Sequence, residues 1–256
     1  MEKPLVSVIT PMYNGEKYLA KMIDSVINQT YGNWELVIVD DCSNDNSCKI
    51  VEQYIEKDNR IKLIKQKKNA GPAEARRVSI NNAKGKYIAF LDCDDIWMPE
   101  KLEKQIGYME SKDVAVTCTS YSMGSENLSE IYKEFIVPQI ITYKDMLKQN
   151  YFSCDTVVIN KEKVRRIKIE SSPKHEDYIT WLGVMKEIEF AHGIQESLAV
   201  YRIRGSSRST GKIDSAIKIW NVYKKYERLG VLKSSYYTTH YMVRGILKYR
   251  KMFNSK

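Results

Sequence analysis

Four short apolar runs, Leu5–Thr10, Trp34–Val39, Ile61–Ile64 and Tyr87–Leu91, alternate in this chain with segments of helical character. Between the first two, Leu19, Ile23, Val26 and Ile27 recur at the spacing of one helix face within residues 16–30. The second interval opens on Asp40-Asp41-Cys42-Ser43-Asn44-Asp45-Asn46-Ser47, a loop rich in helix-capping residues, and predicts a helix ending near Glu56. The third predicts a helix over 72–82, with Pro72 suited to its first turn. The β-branched and aromatic content of the runs suits strands covered on both faces. Strand and helix in strict alternation predict an α/β fold: a mostly parallel sheet with right-handed crossovers.

In such sheets ligands bind where the loops leave the carboxyl ends of the strands. Pro11-Met12-Tyr13-Asn14-Gly15, Asp40-Asp41 and Asp92-Cys93-Asp94-Asp95 follow the first, second and fourth strands, so three polar clusters should converge. Closely spaced carboxylates repel one another unless water or a cation screens them, and oxygen ligands of this kind suit Mg²⁺ or Mn²⁺. Solvated strand-end acids are the plainer alternative. Neither GxGxxG nor GxxxxGK[ST] follows any of these strands, so a diphosphate bound here would need a metal and basic side chains.

Beyond Pro99 the pattern predicts helices over 102–109 and 143–150, strands over 114–120, 156–159 and 198–203, and a helix through Lys186 preceded by His175-Glu176-Asp177. The Ser- and Gly-rich stretch 205–211 reads as a linker. Of the 41 Lys and Arg, 11 fall in residues 212–256 against 2 acids, which leaves 30 of each sign in residues 1–211. The chain therefore divides into a neutral part, 1–211, and a basic extension, 212–256. No apolar run is long enough to span a bilayer, and the N-terminus runs straight into a strand without a signal-peptide pattern, so a cytoplasmic location is expected. Five cysteines without CxxC spacing predict reduced thiols rather than disulfides or zinc, and His175, His192 and His240 lack metal-ligand spacing. Neighbouring carboxylates should raise the Cys93 thiol and make it a packing residue.

Within the extension, Trp220, Tyr223, Tyr226, Tyr236, Tyr237, Tyr241 and Tyr249 interleave with lysines and arginines. That mixture predicts peripheral association with an anionic bilayer surface, the alternative being a solvated basic helix packed on the rest of the chain.

Taken together, these motifs resemble those of glycosyltransferase family 2, inverting enzymes of the GT-A fold in bacterial surface-polysaccharide synthesis. The resemblance covers roughly residues 5–210: Val6 to Asn14, Trp34 to Ser43, Asn69 to Arg76, the DxD-like Phe90 to Asp95, and His175-Glu176-Asp177 before Trp181-Leu182. It implies that Pro11, Tyr13 and Asp41 surround the nucleobase of a nucleotide-sugar, with Arg76 near the nucleotide. Asp92 would lie by the ribose and donor sugar, Asp94 would ligate Mn²⁺ or Mg²⁺, and Asp177 would be the catalytic base. The implied acceptor is a glycan, on a polyprenyl-diphosphate lipid, in O-antigen or capsule assembly. One departure is Arg204, standing after the last strand where many members place a metal-binding His. A guanidinium cannot ligate a cation but can grip a diphosphate in bidentate fashion.

The residues leave other readings open. Asp177 could be a helix cap, as could one of Asp40 and Asp41. Arg76 and Arg77 point about 100° apart on a helix, so one of them at most faces the site. A nucleotidyltransferase would need a glycine- and lysine-rich loop that residues 11–17 do not supply. A nucleic-acid-binding protein is opposed by the neutral charge of residues 1–211. A nucleotide-binding pseudoenzyme is opposed by Asp92, Asp94 and Asp177, with Arg204 its one support.

Overall fold

The computed structural model describes residues 3–170, 175–204 and 212–250. Its first half follows the predicted alternation: β1 (Val6–Met12), α1 (Glu16–Ile27), β2 (Trp34–Asp40), α2 (Ser47–Ile55), β3 (Ile61–Lys65), α3 (Pro72–Asn82) and β4 (Tyr87–Phe90). Every residue of β1, β2 and β4 is buried, as helices on both faces of a parallel sheet require. The apolar stripe of α1 buries Leu19, Met22, Ile23 and Val26 against that sheet. Gly71, at φ 87°, takes the left-handed turn that lets Pro72 open α3.

The second half comprises β5 (Ile96–Trp97), α4 (Lys101–Lys112), β6 (Val116–Gly124), β7 (Ile131–Phe135), β8 (Ile140–Thr142) and α5 (Tyr143–Lys148). A 3₁₀ turn (Cys154–Thr156), β9 (Val158–Asn160), α6 (Glu176–Met185) and β10 (Phe190–Arg202) follow. The chain then forms α7 (Lys212–Asn221), which runs into a π-helical turn (Val222–Tyr226), and α8 (Val231–Arg250).

The strands lie in the order β3-β2-β1-β4-β9-β6-β10-β5, with β7 beside β6 and β8 beside β10. Pairing among β3, β2, β1 and β4 is parallel, as expected. Beyond β4 the sheet is mixed: β9 is antiparallel to both β4 and β6, whereas β10 runs parallel to β6. The mostly parallel expectation therefore holds for the first half alone. β7 and the first half of β10 escaped the sequence reading because much of their surface faces solvent, and register shifts at Ile194/Ser197 and Ser197/Val200 break the alternation along β10.

Two apolar cores flank the sheet. One takes Leu19, Val51, Leu102 and Ile106 from α1, α2 and α4; the other takes Met146, Tyr178, Trp181 and Leu182 from α5 and α6, together with Ile219, Val222 and Tyr223. Tyr223 is fully buried, donates from its hydroxyl to Leu147 O (2.5 Å) and meets the Tyr178 hydroxyl at 3.0 Å. The basic extension thus shares a core with α5 and α6.

At Gly193 of β10 a Cβ would stand 2.0 Å from Pro138 O and 2.8 Å from Val137 Cγ2. Gly193→Ala is expected to cost about 2–3 kcal/mol of stability and roughly 5–10 °C in Tm. An unchanged melting curve would show that segment 137–139 yields without strain.

Candidate active site

Because β1 lies between β2 and β4, the loops leaving these strands emerge side by side. They are also stitched together. Asp41 N–H donates to Met12 O (2.8 Å), Asn14 N–H to Ser43 Oγ (2.9 Å), Asn44 N–H to Asn14 Oδ1 (2.8 Å) and Gly15 N–H to Ser47 Oγ (2.8 Å). A Cβ on Gly15 would lie 3.2 Å from Cys93 Sγ, so the first and fourth loops touch. Pro11 is buried in β1, and Tyr13 just after it is 48% exposed. The predicted convergence of three clusters is what the backbone builds.

The two acids after β2 divide their work. Asp40 accepts from Ser43 N–H and holds the turn. Asp41 is buried, with its two oxygens accepting from Ala70 N–H (2.7 Å) and Gly71 N–H (2.8 Å). Its visible role is to tie the end of β2 to the start of α3, which leaves only second lone pairs for a nucleobase.

After β4, three carboxylates meet three arginines. Arg76 Nη2 donates to Asp92 Oδ1 (2.7 Å), Arg204 Nε pairs with Asp94 Oδ2 (2.9 Å), and Asp95 accepts the backbone N–H of Arg202 (2.8 Å). Sequence reasoning missed Arg202. Its guanidinium donates to Asp94 O (2.5 Å) and to Glu126 O and lies over the Tyr18 ring, which clamps the acidic loop against α1 and the β6–β7 turn. The only sequence signal was an arginine at the end of a strand. Burial, reinforced by Asp92, pushes the Asp94 carboxyl up, and burial pushes Asp95 well above the usual range. Burial with Asp94 and Asp92 raises the Cys93 thiol to about 12, as its surroundings predicted.

No group of three or more His, Cys, Asp or Glu forms a metal cage among the described residues. A hard cation held by one or two carboxylates and completed by substrate phosphates needs no such cage. Asp94, whose charge is disfavoured by burial and by Asp92, fits that kind of site. Arg204 sits directly on Asp94, so it is placed to neutralise the carboxylate.

Arg76 is 7% exposed and bridges Asp92 to Glu176 (Nη1 to Oε1, 3.2 Å), while Arg77 pairs with Glu74 on the surface. One arginine of the two faces the site, as their helical offset required. Asp177 is the second residue of α6; the N-cap position belongs to His175, at φ 64°, while the Asp177 carboxyl takes backbone hydrogen bonds from the first turn, at Asp177 and Tyr178. Asp177 lines a cavity of about 220 Å³ with Phe152, Tyr201 and Tyr241. Burial raises its pKa and the nearby Arg76 opposes that rise. Arg76 therefore links the strand-end acids to the helix that carries Asp177.

A second buried polar group lies beneath this site. Lys101 is fully buried, donates to Gln105 Oε1 (2.6 Å) and stands 4.0 Å from the Trp97 ring centre; burial lowers its pKa to about 7. Burial also raises the Asp155 carboxyl to about 6.

The family model of Glycosyl transferase family 2 matches residues 7–167. The chain is 38% identical, over 96% of its length and 98% of the relative's, to the Bacillus subtilis (strain 168) protein named "Putative teichuronic acid biosynthesis glycosyltransferase TuaG". It is 36% identical, over 97% of its length and 96% of the relative's, to the Escherichia coli UDP-Glc:alpha-D-GlcNAc-diphosphoundecaprenol beta-1,3-glucosyltransferase WfgD. Among solved structures it resembles S. aureus TarS 1-349 in complex with UDP-GlcNAc, with a TM-score of 0.72 and 21% identity over 94% of this chain and 72% of that one. The last likeness concerns the fold.

Proposed function

The chain belongs to glycosyltransferase family 2 and is a glycosyltransferase, and on that premise we propose that it moves a sugar, with inversion, from a UDP-sugar to a sugar on a polyprenyl-diphosphate lipid. The observation that carries this reading is the Arg76 bridge, which couples the acids after β4 to the Asp177 helix beside one cavity. The acceptor chemistry is that of the relative WfgD, whose name specifies a GlcNAc-diphosphoundecaprenol acceptor.

Asp177 takes the proton from the acceptor hydroxyl as its oxygen bonds to the anomeric carbon; the bond from that carbon to the nucleotide's diphosphate breaks, and UDP leaves. Asp94, with Asp92 adjacent, would hold Mn²⁺ or Mg²⁺, which when bound stabilises negative charge developing on the diphosphate. Arg204, paired with Asp94, supplies donors to the same oxygens. Tyr13 offers an exposed ring for the base beside Pro11, and Asp41 orders the loop around it.

Residues 1–211 form the catalytic part and 212–256 an extension that brings it to the cytoplasmic face of the membrane. Leu232, Tyr236, Val243, Ile246 and Leu247 form an exposed apolar stripe along one side of α8, with Lys233 next to it. No helix among the described residues is long and apolar enough to cross a membrane. A stripe of this kind suits an interface where the lipid acceptor lies.

Release of free nucleoside diphosphate from UDP-, GDP- and dTDP-sugars, with Mn²⁺ or Mg²⁺ and with EDTA, tests the proposal. One UDP-sugar should stand out, and its turnover should vanish in EDTA. Neither turnover nor calorimetric UDP binding would sink it.

A further inference from the structure

Building on the acceptor proposed above, we infer that α8 completes the acceptor subsite and that Arg244 recognises the acceptor's diphosphate. The cavity beside Asp177 measures about 220 Å³, below the usual range of roughly 300–1,000 Å³ for larger ligands, so it suits a single sugar ring. Aromatic faces from Phe152, Tyr201 and Tyr241 and the polar side chain of Ser153 give it the mixed character that a pyranose needs. Two lining residues, Tyr241 and Gly245, come from α8, one turn apart.

Arg244 lies between them in the chain. Its Nη1 donates to the Tyr151 hydroxyl (2.9 Å), and Tyr151 lies between the lining residues Asn150 and Phe152. This bond therefore joins the two segments that wall the cavity. A guanidinium carries five N–H donors. Among the described residues Arg244 makes this one hydrogen bond and no ion pair, whereas Arg76 and Arg204 on the donor side are held by carboxylates. A half-buried arginine with spare donors, next in the chain to Gly245 of the cavity lining, suits an anion that enters with the ligand.

The layout follows the acceptor's own order. The reacting hydroxyl belongs at Asp177, the ring in the cavity, and the diphosphate on the far side of that ring, at Arg244. The lipid then continues onto Val243, Ile246 and Leu247, which are exposed on the same helix.

The test compares wild type, Arg244→Gln and Arg244→Lys on two membrane-free acceptors. One is N-acetylglucosamine on a butyl diphosphate, and the other is the neutral butyl glycoside of the same sugar. Donor hydrolysis without acceptor monitors the fold and the donor site. Wild type should prefer the diphosphate acceptor. Arg244→Gln should raise its KM for that acceptor roughly 10–100-fold, with Arg244→Lys intermediate. Donor hydrolysis should stay within about twofold, and the neutral acceptor should lose far less than the diphosphate acceptor. Equal use of both acceptors by wild type, or equal losses on both in Arg244→Gln, would overturn the inference and leave glycosyl transfer standing. Transfer to neither acceptor while the donor is still hydrolysed would remove the diphosphate-linked acceptor itself, and the inference with it.

Discussion

Replacing Asp177 by Asn should cut sugar transfer by roughly 10²–10⁴-fold while leaving UDP affinity unchanged. The substitution keeps shape and removes the ability to take a proton. It also removes one negative charge from the first turn of α6, which costs only about 0.3–1 kcal/mol of helix-dipole stabilisation, so the variant should remain folded. Burial holds the Asp177 carboxyl above the usual aspartate range, with Arg76 as the opposing influence. A base works only when deprotonated, so wild-type transfer should fall as pH drops through that raised pKa, at higher pH than an ordinary aspartate would give. The acid limb should disappear in Asp177→Asn together with most of the rate. Steady-state transfer and calorimetric UDP binding across pH check both statements. A variant keeping more than about a tenth of the wild-type rate would move the base elsewhere.

Much of this site was legible because its chemistry coincides with strong local patterns. Buried runs of β-branched residues fixed β1, β2 and β4, parallel pairing followed from the helices between them, and parallel pairing placed Pro11, Asp41 and Asp92 at one edge. Helical geometry lets one at most of Arg76 and Arg77 face the site, and the resemblance names Arg76; the structure buries Arg76. The remainder depends on contacts across long sequence separations. Arg202 meets Asp94 and Asp95 because β10 crosses the acidic loop, and no pattern near residue 202 announces that partner. The family resemblance, not a local pattern, puts Asp41 beside a nucleobase, and no pattern near residue 41 announces that its oxygens accept N–H groups some 30 residues away. The extension looked like a separate basic tail because charge dominates its composition. Its inward face, Ile219, Val222 and Tyr223, follows the ordinary logic of a core.

Arg76→Met should lower stability by about 3 kcal/mol and Tm by roughly 6–12 °C. Arg76 is 7% exposed and, among the described residues, carries the one positive charge paired with both Asp92 and Glu176. Methionine fills most of the space, so the loss is electrostatic rather than a cavity. Breaking a buried ion pair from one side typically costs about 3–5 kcal/mol, and the lower end applies because the Asp92 side chain is 30% exposed. Without the guanidinium, Asp92, Glu176 and Asp177 are crowded like charges, and the Asp177 carboxyl, which Arg76 otherwise holds down, rises further in the folded state. Between the unfolded value of Asp177 and its further raised folded value the native state then binds more protons, so the variant's stability falls as pH rises through that window. The deficit should therefore be largest near neutral pH and shrink on acidification. Arg76→Met/Glu176→Gln, which removes one unpaired charge, should recover part of the loss, and chemical denaturation at several pH values measures all three quantities. A deficit that is constant with pH and unrelieved in the double variant would assign Arg76 to packing alone. The charge bridge between the acidic loop and the Asp177 helix would then carry no energetic weight.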